Sequence, residues 1–239
     1  MTNPNVGEEI EEAAAVPLGT ALVVLLGAAA GALAAAVALP ALLPGAAASL
    51  LGAEPKAYWY LSRSSAFVAF TLLWLSMVLG LLVTNKMARV WPGGPTAVDL
   101  HQHVSLLGLG FALFHGLILL GDSYIQFSLA QLAIPFTGAS YRPVWVGLGQ
   151  VAFYLTALVS LTFYVRKSIG HRAWRLIHEL SFVMFAMGLL HGLGAGTDSG
   201  TWWAGVFYWV TGGSVLFLSV YRLLVTRLTS SPRRATRPA

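Results

Sequence analysis

Long apolar runs separated by short polar or basic segments dominate the chain. Six of them approach or exceed the roughly 17–25 residues that a helix needs to cross a hydrocarbon core. They run from Leu18 to Leu39, Ser64 to Thr84, Leu100 to Leu120, Val144 to Val165, Trp174 to Leu193 and Trp203 to Val225. The first is almost pure Ala, Gly, Leu and Val and is expected to end at Pro40 and Pro44, since proline cannot extend a helix without losing a backbone bond. The pattern predicts an all-α integral membrane protein, a bundle of six transmembrane helices. The segment from Asp122 to Pro143 is semi-apolar and suits a short helix lying in the membrane interface. Two readings of it are open: simple packing on the bundle, or a cover over a site at that end.

Composition agrees. Hydrophobic residues make up 57% of the 239 and charged residues 10%, against about 25% charged in soluble domains. There is no cysteine, which excludes disulfides, iron–sulfur clusters, thiolate metal sites and covalent haem attachment. The formal charge is +5, but the basic residues lack the aromatic interleaving of single-strand nucleic-acid binders, so no nucleic-acid partner is expected and membrane lipid is the main surroundings.

The basic residues instead orient the chain. Of the 14 Lys and Arg, eleven fall on one side: Lys86, Arg89, Arg166, Lys167, Arg172, Arg175, Arg222, Arg227, Arg233, Arg234 and Arg237. Lys56, Arg63 and Arg142 fall on the other. Positive charge stays cytoplasmic, so both termini are expected in the cytoplasm of a multi-pass protein of the plasma, or bacterial inner, membrane. Trp59, Trp145, Trp202 and Trp203 then mark the outer interface, and Trp91 and Trp174 the inner one. The acidic start MTNPNVGEEIEEAAAV is unlike a basic secretory leader and is expected to be a retained, disordered tail.

Four of the six histidines lie inside two spans: His101 and His115 in DLHQHVSLLGLGFALFHGL, His178 and His191 in RLIHELSFVMFAMGLLHG. Ionisable groups at membrane depth are costly and mark function, and neutral imidazole is a common haem-iron ligand. Fourteen residues from His101 to His115 give roughly 21 Å of rise and return to within about 40° of one helix face. Thirteen from His178 to His191 give roughly 20 Å. The third and fifth spans both leave the cytoplasmic side, so the depths match, His101 with His178 inside and His115 with His191 outside. Two haems between the third and fifth helices, each with two histidine ligands to iron, are the expected site, with no residue assigned a catalytic role. Thirteen residues leave His178 and His191 about 140° apart on an ideal helix, so a bend, a local change of winding near Gly188 or a choice of rotamers is required. Proton relay would need carboxylates in the spans, and zinc would need ligands clustered at one depth.

Neighbouring residues carry weaker signals. His103 is an alternative to His101 but sits about 120° off the stripe, and His171 reads as solvated. Asp99 suits an N-cap, and Glu179 suits pairing with Arg175 four residues earlier. Gly108, midway between His101 and His115, would let two macrocycles approach, although ordinary small-residue helix packing explains it better. Arg63, Arg142, Arg172 and Arg175 are placed to meet haem propionates or, more simply, to anchor the helices at the interfaces.

The LHxH start and LFHGL of the third span, the RxLIHELSF start of the fifth and LLHGLGAGTD at its end resemble the ferric reductase-like transmembrane domain of ferric reductases, NADPH oxidases and the methionine sulfoxide reductase haem subunit. The resemblance runs from about Tyr60 to Leu224. It implies two b-type haems stacked across the membrane, passing electrons from a cytoplasmic flavin to an acceptor outside. It divides the chain into an acidic tail (1–17), an extra first helix and outer loop (18–59), the haem-binding domain (60–225) and a basic tail (226–239). Only a short basic segment follows Arg222, without a glycine-rich nucleotide fingerprint. Flavin is therefore expected on a separate cytoplasmic flavoprotein, with membrane quinol as the other possible donor, and the protein as the haem subunit of an oxidoreductase. A quinol-linked dihaem cytochrome b and a haem-free scaffold or transporter are the competing readings.

Overall fold

The structure, a computed structural model, describes residues 16–42, 57–90, 92–122, 125–138 and 141–229. Among these residues it is all helical. The long helices are α1 (Leu18–Leu42), α2 (Ala57–Thr84), α3 (Gly94–Leu117), α5 (Pro143–Thr162), α7 (His171–Ala195) and α8 (Trp202–Thr229), with short α4 (Leu129–Ala133) and α6 (Arg166–Ile169) between them. Helices satisfy their own backbone polar groups, which hydrocarbon would leave bare.

Five helices are long and apolar enough to cross a membrane: Tyr58–Thr84, Gly94–Gly121, Pro143–Thr162, His171–Ala195 and Trp202–Arg227. In α1 the apolar run is shorter, Leu18–Ala34. The protein is thus a multi-pass membrane protein. Helix α1 is described to Leu42, between the Pro40 and Pro44 expected to end it; a proline in the last turn removes one backbone bond without unwinding what precedes it. Most of the two tails, the loop before Ala57 and Trp91 lie outside the described residues.

Local chemistry sets the ends. Helix α3 starts six residues earlier than expected, at Gly94, with Pro95 in its first turn and Gly93 at φ 104° before it. Asp99 is therefore inside the helix and does not cap it. Gly170, at φ 83°, lets the chain turn sharply between α6 and α7, a conformation only glycine adopts freely.

Helices α2 and α3 pack along their lengths, as do α5 and α7, while α2 also touches α7 and α3 touches α5. Helices α3 and α7 consequently stand at opposite corners of a four-helix ring, with α2 and α5 between them. Helix α1 packs outside α3, and α8 closes against α2 and α7. Met77, Leu81, Phe185, Val215 and Leu218 form the buried cluster that joins α2, α7 and α8.

Candidate functional site

The ring encloses a cavity of about 1010 Å³, at the upper end of the ~300–1000 Å³ usual for small-molecule sites. All four span histidines line it, among mostly apolar side chains. The rings of His101 and His178 lie 6.1 Å apart between centroids at 70°, and those of His115 and His191 lie 6.0 Å apart at 71°. The two facing pairs come from opposite corners and from opposite ends of the helices. Helix α7 runs unbroken from His171 to Ala195, so the azimuth mismatch is absorbed without unwinding at Gly188.

Helix α2 holds one side of each pair. His101 Nδ1–H donates to the Ser76 carbonyl at 2.9 Å, and His115 Nδ1–H donates to the Ser62 carbonyl at 2.8 Å. Ser62 and Ser76 are fourteen residues apart on α2, as His101 and His115 are on the antiparallel α3. On the other side, His191 Nδ1–H donates to the Trp145 carbonyl at 2.9 Å. A backbone carbonyl only accepts, so each Nδ1 carries the proton and each Nε2 keeps an unshared electron pair. Among the described residues no hydrogen bond meets Nε2 of these four rings.

His178 differs. Among the described residues its buried Nδ1 has no hydrogen-bond partner, and neither has the buried Nε1 of Trp174, whose ring lies 5.1 Å from the imidazole at 32°.

This arrangement fits an iron between the members of each pair. An imidazole nitrogen sits about 2.0–2.1 Å from a metal, so two rings on opposite sides of one ion have centroids roughly 6 Å apart. An imidazole Nε2 without a hydrogen-bond donor can be satisfied by a Lewis acid at that spacing. Among the described residues no group of three or more His, Asp or Glu is placed to hold a metal ion.

Two glycines make room for the rings. A Cβ on Gly149 of α5 would lie 2.5 Å from His191 Nδ1, and one on Gly80 of α2 would lie 3.2 Å from His101 Cε1. Gly108 has a different role: its Cβ position lies 3.3 Å from Leu72 Cβ, so it serves the close approach of α3 to α2, the packing reading.

Charged residues divide unevenly between the ends. Arg63 and Asp198 form an ion pair at the His115–His191 end, with Arg63 Nε donating to Asp198 at 3.1 Å. At the other end Arg175, Glu179 and Arg222 line the cavity. Arg175 contacts His171 at 2.7 Å and makes no ion pair with Glu179 among the described residues, because its guanidinium points back along the helix. Burial pushes the Tyr164 phenol, just beyond α5, up from its ordinary pKa. Arg142 bonds the Gly194 carbonyl at 2.5 Å and, like Arg172, does not line the cavity. His103 is exposed and bonds the Asp99 carbonyl at 2.8 Å, away from the pairs.

The segment after Asp122 walls one end through Phe127, Leu129, Leu132 and Ala133. A capping box between Ser128 and Gln131 starts α4. Gln150 Nε2 donates to the Gln131 and Leu132 carbonyls at 2.7 and 2.8 Å, which pins the wall to α5.

A family described as a domain of unknown function (DUF8596) matches residues 57–198, more than half of the chain. The "Protein-methionine-sulfoxide reductase heme-binding subunit MsrQ" of Deinococcus radiodurans is 30% identical over 167 residues, covering 68% of this chain and 73% of that protein. No solved structure matches.

Proposed function

This chain belongs to the ferric reductase-like membrane family marked out by that domain and its MsrQ relative, and on that premise we propose that it carries electrons across the membrane. Two b-type haems are held by His101 with His178 and by His115 with His191, in a domain spanning 60–225 to which α1 adds a sixth crossing. The observation that carries this reading is the two facing imidazole pairs at opposite ends of one apolar cavity. The name of the relative supports a heme-binding role within a reductase that has more than one subunit.

When bound, the haems supply one-electron chemistry at iron. The chain does the rest. Carbonyls of Ser62, Ser76 and Trp145 fix three imidazoles in the tautomer that offers Nε2 and raise their basicity. The apolar walls exclude water from the path between the pairs. Wall residues 125–138 cover the outer pair, while the basic end, taken as cytoplasmic, offers a surface to a flavoprotein or quinol donor. The protein is the electron-carrying subunit of an oxidoreductase in the bacterial inner membrane.

Proteoliposomes provide the test. With a reductant confined to the basic face and impermeant ferricyanide on the other, haem-loaded protein should reduce ferricyanide. Loaded vesicles that reduce no more than protein-free ones would refute the proposal.

A further inference from the structure

The two histidine pairs are chemically unequal. Both rings of the outer pair donate Nδ1–H to carbonyls. In the inner pair, among the described residues, only His101 does so, since His178 Nδ1 is buried beside Trp174 with no partner there. An imidazole that donates to a carbonyl is more electron-rich and favours the ferric ion. A bare one favours it less.

Charge pushes in the same direction. The ionised side chains lining the cavity are Arg63, Asp198, Arg175, Glu179 and Arg222. At the outer end Arg63 is neutralised by Asp198. At the inner end two arginines face one glutamate, which leaves a net positive charge that opposes iron oxidation in a medium of low dielectric.

We propose that the chain makes its inner haem site the higher in reduction potential, so that an electron rests between His101 and His178 before it moves on. The means are the missing acceptor at His178 and the unbalanced arginine at that end. The outward step then runs against the internal potential and depends on the acceptor beyond the outer site to draw the electron out. No proton or co-reactant is needed, because one ferrous ion is oxidised as one ferric ion is reduced.

This inference rests on the haem reading above, and potentiometry of the full haem-loaded chain separates the two. Protein that takes up no haem would remove the haem reading itself. With haem present, two one-electron steps are expected, at least tenfold apart, or about 59 mV for one electron. A single unsplit step overturns the inference. Arg222→Gln should lower the upper step alone, and Asp198→Asn, which releases the charge of Arg63, should raise the lower step alone. The opposite assignment in either variant overturns it. The unsubstituted protein gives a check independent of folding. In proteoliposomes poised between the steps, the haem still ferric by electron paramagnetic resonance should be relaxed by dysprosium added on the Arg63–Asp198 face. Relaxation only from the basic face would reverse the order.

Discussion

Replacing Gly149 by alanine tests the packing that presents His191. The added Cβ would stand 2.5 Å from Nδ1 and 2.7 Å from Cε1 and Cγ of that ring, about 1 Å inside the roughly 3.5–4.0 Å of an ordinary contact. The ring cannot swing aside freely, because Nδ1 is tied to the Trp145 carbonyl at 2.9 Å, one turn before Gly149. Overpacking costs about 1–3 kcal/mol, and the lost hydrogen bond adds about 0.5–1.5 kcal/mol. The sum, about 2–4 kcal/mol, is a factor of roughly 30 to several hundred in an equilibrium. Gly80→Ala is the internal standard. Its Cβ lies 3.2 Å from His101 Cε1, so a shift of a few tenths of an ångström relieves it, for about 1 kcal/mol or less. Haem content and the denaturation midpoint of the purified variants read both effects. Gly149→Ala should lose the outer haem selectively and melt earlier, with Gly80→Ala close to the parent. A fully loaded, equally stable Gly149→Ala, or a Gly80→Ala that suffers more, would refute the reasoning.

Gln150→Leu removes two of the hydrogen bonds from α5 to the 125–138 wall and leaves Tyr154 donating to the Ala133 carbonyl; it should cost about 1–2 kcal/mol, hydrogen exchange at Gln131 and Leu132 should quicken, and unchanged exchange there would show that Tyr154 alone holds the wall. Arg63→Ala strands the Asp198 carboxylate. With side chains 31% and 18% exposed, the loss should fall at about 1–3 kcal/mol, between exposed and buried pairs, and Arg63→Ala with Asp198→Asn should recover part of it by calorimetry. Ser62→Ala removes the hydroxyl 2.9 Å from His115 Nδ1 but keeps the carbonyl 2.8 Å from it, so haem should stay and stability should change by about 1 kcal/mol; loss of the haem would move that role to the hydroxyl.

Much of this was legible because membrane depth is a one-dimensional problem. Rise per residue and alternating direction place His101 beside His178 and His115 beside His191, and the structure brings these rings to facing positions. What holds the rings was less legible. The carbonyl acceptors of Ser62, Ser76 and Trp145 belong to the backbone, although the Ser62 and Ser76 hydroxyls also stand 2.9 and 3.2 Å from His115 and His101 Nδ1. Their trace in the sequence is the fourteen-residue interval that the two serines on α2 share with two histidines on the antiparallel α3. Gly149 and Gly80 could not be told from the other glycines, since their role depends on which face of a neighbouring helix meets them. Asp99 looked like a cap only because the α3 start was placed at Leu100, past the turn formed by Gly93 and Pro95. Arg175 had two partners at the same helical spacing, His171 and Glu179, and nothing in the spacing chooses between them.

The most direct test is the haem content of the purified chain and its four single histidine variants, by pyridine haemochrome and low-spin electron paramagnetic resonance. Two b-type haems per chain are expected in the parent. His101→Ala and His178→Ala should each lose the same one, and His115→Ala and His191→Ala the other. A chain that takes up no haem, or keeps both haems in all four variants, would contradict the assignment.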